Sequence, residues 1–315
     1  MEKGRLKKLL QNDTILVVPA AFDMVSAKII EKTGFEAVYL SGYGQAVSHL
    51  GFPDAGLMTF TEMLERVHNM ANTINIPLLA DGDTGYGGAA NVRRIVNEFE
   101  QAGAAAVQLE DQEMPKRCGH TEGKRIVDAR EMVQKIEAAV ESRRSDDFLI
   151  VARTDALSVT GLEEAVKRGK IYEKAGADII FIESPQTNEE MRIIGKSFEK
   201  PVMANLIEGG KTPLVPVIVL EKMGFKIVAY ALTTLLAAIK AIQRAMEILK
   251  TQGTTEGILD EIMNFKEFDT FIGFLELRDF EAKFKIKRIY SATESSRSQT
   301  SRSQTFRYCI NRIFV

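Results

Sequence analysis

The chain has two cysteines and three histidines in 315 residues, and its formal net charge is only -2. Each scarcity excludes a class of protein. Cys118 and Cys309 cannot build a disulfide framework. Lys and Arg are dispersed through the first 280 positions, so no basic patch for nucleic acid and no cationic face for a membrane surface is implied. No run approaches the roughly 18 uninterrupted apolar residues of a spanning helix. The start MEKGRLKKLLQND lacks the apolar stretch of a signal peptide. These absences predict a soluble protein of a reducing cytoplasm, with neither nucleic acid nor membrane as partner. Small anionic ligands remain compatible.

What is present is ample material for a core, with 45% apolar and 27% charged residues. Eight short apolar runs alternate with segments of helical period: TILVVPA (14–20), AVYLSG (37–42), PLLADGD (77–83), AAVQLEDQ (105–112), FLIVARTD (148–155), DIIFIES (178–184), PVMANLI (201–207) and FKIVAYAL (225–232). Runs apolar at the start and polar at the carboxyl end fit parallel strands covered on both faces. Thr59 with Glu62, Asp128 with Glu131, Thr160 with Glu163 and Thr187 with Glu190 have capping-box spacing at helix starts. Gly34, Gly103, Gly176 and Gly224 stand where helices end, each shortly before a strand. Eight strands and the helices between them predict a (β/α)8 barrel of the TIM type; an open doubly wound sheet is the alternative.

In a barrel the carboxyl ends of the strands converge on one mouth. That places Ser41, Asp81, Asp83, Glu110, Asp111, Arg153, Asp155, Glu183 and Asn205 there. So many carboxylates repel unless a cation or shared protons neutralise them, and an oxygen set without a histidine cluster suits Mg2+, or Mn2+, better than Zn2+. Two motifs are set aside. ADGDTGYG starts like an EF-hand, but Tyr86 stands where the sharp turn needs glycine and Val92 where a bidentate Glu belongs. NLIEGGKT approaches a phosphate-binding loop before a helix opened by Pro213, yet Asn205 replaces the first glycine, and Gly209 and Gly210 read as a strand-to-helix loop.

MPKRCGH (114–120) follows the fourth strand, so Cys118 lies on a loop over the mouth rather than in the core. Lys116, Arg117 and a protonated His120 beside it predict a stabilised thiolate, and Gly119 with Gly123 predict a hinged lid. His49 and His68 have no comparable setting.

LSGYG (40–44), LADGDTGYG (79–87), LEDQ (109–112), KRCGH (116–120), ARTDA (152–156), FIESP (181–185) and NLIEGGKTP (205–213) together resemble the isocitrate lyase and phosphoenolpyruvate mutase superfamily, in order over about residues 1–285. KRCGH resembles the lyases, since mutases lack the cysteine, and GHTEGK looks more like 2,3-dimethylmalate lyases than methylisocitrate lyases, which continue GHRPNK. The resemblance implies a Mg2+-dependent carbon–carbon lyase for a di- or tricarboxylate, with 2,3-dimethylmalate the expected substrate. Methylisocitrate lyase and oxaloacetate hydrolase are the alternatives, and phosphonopyruvate mutase or hydrolase a more distant one; a non-catalytic scaffold would bind no Mg2+. It also implies roles. Asp81 would be the main metal ligand, with Asp83, Glu110 and Asp54 holding its waters. Ser41, Gly42, Tyr43 and Arg153 would bind the pyruvyl carboxylate. Glu183 and Asn205 would line the pocket, and Lys116, Cys118, Gly119 and His120 would form a mobile gate with Cys118 as general acid. Tyr43 and a metal-held water are both candidates for the base. Where the family commonly shows NMIEGG, this chain has Leu206.

The expected division is a catalytic barrel over 1–245, a helical extension over 246–288 and a tail over 289–315. FKEFDTFIGFLELRDFEAKF (265–284) resembles the family's terminal helices, which implies helix exchange between subunits and a homotetramer arranged as a dimer of dimers. SRSQT then occurs twice, at 296–300 and 301–305, a Ser/Arg/Gln-rich stretch read as a disordered or aberrant tail that includes Cys309.

Overall fold

A computed structural model describes residues 3–284. The tail expected over 289–315, with Cys309, lies outside them. Strands β1 (Leu16–Ala21), β2 (Val38–Leu40), β3 (Leu78–Asp81), β4 (Ala106–Glu110), β5 (Leu149–Thr154), β6 (Ile179–Ile182), β7 (Val202–Leu206) and β8 (Ile227–Tyr230) pair in parallel in sequence order. β8 returns to β1, with Leu16 opposite Ile227 and Pro19 opposite Tyr230, and closes the barrel. All eight apolar runs contain a strand, and the closure excludes the open sheet.

Helix α1 (Arg5–Leu9) precedes β1. The connections carry α2 (Met24–Lys32), α3 (Gly42–Gln45) running into a wider turn at Ala46–Leu50, α4 (Phe60–Thr73), α5 (Ala89–Ala102), α6 (Ala129–Ser142), α7 (Leu157–Thr160), α8 (Leu162–Lys174), α9 (Asn188–Gly195) and α10 (Val217–Met223). The expected boxes form at Thr59/Glu62 and Thr187/Glu190. Asp128 caps α6 through the Arg130 amide instead. Thr160 caps nothing: it is spent as the last residue of α7, its hydroxyl bonded back to the Ala156 carbonyl at 3.1 Å, and Gly161 starts α8. Pro213 does not open a helix either. Its loop continues to Pro216, the N-cap of α10, and on the way the Lys211 amide bonds to His120. Gly34, Gly103, Gly176 and Gly224 have φ between 98° and 103°, the left-handed conformation that ends these helices at little steric cost.

Barrel parity explains the site. Successive strand side chains face opposite ways, and Tyr39, Leu79, Val151, Phe181, Met203 and Ala229 belong to one buried cluster inside the barrel. Two residues beyond five of these stand Ser41, Asp81, Arg153, Glu183 and Asn205. The other parity packs against the helices in two further clusters, as Leu78, Ile150, Ile180 and Val228 do.

The first compact unit runs to Met246 and the second begins at Glu247, within α11 (Thr233–Gln252). The second unit contains α12 (Phe265–Ile272), started by an Asn264/Glu267 box, and α13 (Phe274–Lys283). Among the described residues, no helix is long and apolar enough to cross a membrane.

Candidate active site

Ser41, Tyr43, Asp54, Asp81, Cys118, Gly119, Arg153, Glu183 and Asn205 line one cavity of about 30 Å³ at the mouth, with Tyr39, Ile207, Ala231 and Leu232 completing its wall. Gln108 and Tyr39 come into contact with this set although sequence reasoning left them out. The Tyr39 hydroxyl lies 3.1 Å from Gln108 Oε1 and 3.4 Å from Asp81 Oδ2. The available signal was parity: Tyr39 is two residues before Ser41, and Gln108 two before Glu110.

Asp81 is held from several sides. Oδ2 accepts the Gly42 amide at 3.1 Å and Oδ1 the Asp83 amide at 3.0 Å. A Cβ at Gly42 would come within 2.9 Å of Asp81 Oδ2, so only glycine lets the backbone approach this carboxylate. Burial, then the neighbouring Asp83, pushes the Asp81 carboxyl above its ordinary range against the pull of Lys116 and Arg153. Glu110 is pushed up further, chiefly by burial. Its Oε1 is buried without a hydrogen-bond partner, while Oε2 lies 3.3 Å from Arg153.

Lys116 is buried and points into the acidic cluster, 2.6 Å from Asp54 Oδ1 and 2.7 Å from Asp83 Oδ1. Arg153 lies 3.3 Å from Glu183 Oε2 and is gripped by Asp155 at 2.9 and 3.1 Å. Burial opposes charge on Glu183, but Arg153, His120 and Lys124 outweigh it and hold this carboxyl far below the usual carboxylate range. Asn205 donates weakly to Glu183 Oε2 at 3.4 Å, and its own Oδ1 is buried and unpartnered. Asp111 does not face the mouth. It has the opposite parity from Glu110 and accepts from Thr154 (2.7 Å), the Asp155 amide (2.9 Å), Tyr172 (2.8 Å) and Arg168 (3.1 Å) on the helical side.

Segment 111–128 folds over the cavity. Its base is joined by a Gln112–Ile126 bridge, and the Gln112 side chain holds both the amide and the carbonyl of Arg117. Gly119 is packed so closely that a Cβ would meet Glu183 Cγ at 2.4 Å and an Arg153 nitrogen at 2.5 Å. His120 Nδ1 accepts the Lys211 amide at 2.9 Å, which leaves Nε2 facing Glu183 Oε1 at 3.2 Å. The loop once compared with a phosphate cradle thus supports the segment over the mouth.

The expected thiolate is not what this setting favours. Burial, with Glu183 and Asp54 as further causes, pushes the Cys118 thiol up to about 11 against the His120 amide and Arg153. Lys116 is turned toward Asp54 and Asp83, and Arg117 reaches the Glu122 carbonyl, so neither cation offsets the burial. Burial therefore favours the protonated thiol over the thiolate near neutral pH. Burial, Cys118 and Asp54 also push the Tyr43 phenol up, so it too keeps its proton.

Among the described residues, no three carboxylate, thiol or imidazole groups converge as a ready chelate. The donor set nevertheless suits a divalent ion. Six carboxylates, Asp54, Asp81, Asp83, Glu110, Asp155 and Glu183, face three cations, Lys116, Lys124 and Arg153. The donors are hard oxygens, and one Glu110 oxygen is free.

Residues 6–250 match the family described as phosphoenolpyruvate phosphomutase. The 2,3-dimethylmalate lyase of Eubacterium barkeri is 45% identical over 285 residues, 90% of this chain and 99% of its own. The 2-methylisocitrate lyase of Aeropyrum pernix is 41% identical over 295 residues, 93% and 95% of the two chains. Among solved structures, a 2,3-dimethylmalate lyase described as a PEP mutase/isocitrate lyase superfamily member matches with a TM-score of 0.85 at 33% identity, over 94% of this chain and all 100% of that one. An oxaloacetate acetylhydrolase bound to 3,3-difluorooxalacetate gives 0.85 at 33% identity over 90% and 98%. A phosphonopyruvate hydrolase in complex with oxalate and Mg2+ gives 0.82 at 31% identity over 90% and 99%. The chain belongs to the phosphoenolpyruvate phosphomutase family, within the PEP mutase/isocitrate lyase superfamily of enzymes.

Proposed function

We propose that this enzyme is a Mg2+-dependent carbon–carbon lyase that cleaves 2,3-dimethylmalate, an alkylmalate-type 2-hydroxy diacid, to pyruvate and propionate. The observation that carries the reading is a cysteine thiol kept protonated, at about 11, in the wall of an acidic and cationic cavity. A mutase of phosphorus–carbon bonds has no need of that proton, whereas a lyase that releases a carboxylate-stabilised carbanion does.

Asp81 is the residue for the cation, with Asp83, Glu110 and Asp54 as its water-mediated neighbours. When bound there, the cation supplies Lewis acidity to the 2-hydroxyl and adjacent carboxylate. Ser41, Gly42, Tyr43 and Arg153 hold the pyruvyl carboxylate, and Glu183 and Asn205 bound the remainder of the pocket. Transfer of the hydroxyl proton to a water of the site, the remaining candidate for the base, lets the C2–C3 bond break, giving pyruvate and a propionate carbanion. The Cys118 thiol protonates that carbon, so one proton leaves oxygen and one arrives at carbon. The thiolate left behind faces the His120 amide and Arg153, both of which favour it. Tyr43, held in its protonated form, is better suited to donating a hydrogen bond than to acting as the base. The cavity is small, about 30 Å³, so residues 116–123 of the covering segment open to admit substrate and close to exclude water. The thiol calls for a reducing, cytoplasmic setting, and the exposed apolar helices of the second unit suit a homotetramer.

The test is analysis of the products formed from 2,3-dimethylmalate, methylisocitrate and oxaloacetate, each with Mg2+ and with chelator. Metal-dependent turnover led by dimethylmalate supports the reading. Preference for methylisocitrate would assign the sister lyase, and acetate with oxalate from oxaloacetate would assign the hydrolase. No metal dependence would overturn it.

A further inference from the structure

Lys124 is one of the most deeply buried charges in the protein, its side chain 1% exposed, and it lines no part of the cavity. Its ammonium donates to the Gly119 carbonyl and lies 2.9 Å from Asp155 Oδ1. The same carbonyl accepts from the Ser184 hydroxyl at 2.9 Å, and Ser184 itself has φ +59°, a left-handed backbone that only a fixed environment holds in a non-glycine residue. The other Asp155 oxygen is 2.9 Å from Arg153 Nε. One carboxylate therefore ties the arginine in the pocket to the lysine that grips the covering segment.

We infer that Lys124 is a positioning residue that latches residues 116–123 closed: held at the base of the covering segment by Asp155, it bonds the Gly119 carbonyl and so sets how often Cys118 is exposed, and Asp155 links that latch to Arg153. The inference rests on reading this segment as a gate but not on the identity of the substrate. Opening breaks the Gly119 contact and leaves Lys124 still neutralised by Asp155, so the latch can release without stranding a charge. A hydrogen bond from a charged donor is strong enough to shift a two-state population about tenfold to a hundredfold.

The readout is the rate at which iodoacetamide alkylates the Cys118 peptide in ligand-free full-length enzyme, followed by mass spectrometry across a pH series. Lys124→Met is expected to raise the rate about tenfold to a hundredfold by a similar factor at every pH, since opening multiplies access. A charge effect alone would displace the pH profile instead. Lys124→Arg, which keeps a cationic donor, is expected to restore much of the protection. Ser184→Ala removes the second donor to the same carbonyl and is expected to raise the rate even if Lys124→Met fails to fold. Unchanged alkylation in Lys124→Met or in Ser184→Ala, a displaced profile without a change in maximum, or no restoration by arginine would overturn the latch. Because no substrate enters the assay, a wrong substrate assignment leaves the result intact.

Discussion

At the scale of single residues, the chemistry turns on where burial outweighs nearby charge. Cys118 has cationic neighbours in sequence, yet Lys116 is drawn to Asp54 and Asp83, and burial raises the thiol from 9.0 to about 11. The sign of the pH dependence follows. As the proposed donor, Cys118 would be competent while protonated, so its contribution to turnover is expected to hold through neutral pH and to be lost as pH rises through about 11. A kcat/KM profile, which reports groups of the free enzyme, whose alkaline limb lies near 11 is expected; a thiol-dependent limb near 9 would show that the cysteine is not buried as described. The same raised value favours the folded form below 9, an advantage that fades as pH approaches 11. This is the residue-scale fact that sequence hid, because the charges flanking a cysteine in the chain do not reveal where their side chains point.

At the scale of elements, legibility followed periodicity. Runs of apolar residues turning polar located all eight strands, and period two ordered Leu79 to Asp81 and Phe181 to Glu183 on one face. The same rule, applied more strictly, would have added Tyr39 and Gln108 and removed Asp111 from the mouth. Thr160 failed as a cap because an extra turn of helix absorbed it, and Lys124 was illegible because the fold of segment 111–128 depends on contacts far along the chain, including Lys211. Asp111 offers an element-scale test. Its carboxylate joins the end of β4 to β5 and α8 through four partners. Asp111→Ala would leave the Asp155 amide and the Tyr172 and Thr154 hydroxyls without their acceptor, while Arg168 keeps Glu164 and the Val127 carbonyl, for an expected loss of about 1–3 kcal/mol in chemical denaturation. A loss below about 1 kcal/mol, the size of an ordinary surface effect, would mean that water replaces the carboxylate.

At the scale of the whole molecule, the closed barrel accounts for a buried site, while the second unit leaves many of its apolar side chains exposed. Phe265 is 78% exposed, Phe284 70% and Phe280 59%, and faces of this kind mark association surfaces. Sedimentation of the full chain is expected to give a tetramer, and substituting Phe268 and Phe280 with serine to lower the assembly state. A monomeric native chain would contradict the proposed assembly and leave the barrel chemistry standing.

The central claim, that Cys118 supplies the proton that completes cleavage, is tested most directly by turnover of 2,3-dimethylmalate in saturating Mg2+ by native enzyme and Cys118→Ser, with pyruvate and propionate both quantified. The account predicts a fall in kcat of about 100-fold or more, in the range of a lost general acid, with Mg2+ affinity and melting temperature preserved. A serine variant that releases both products at the native rate would contradict it.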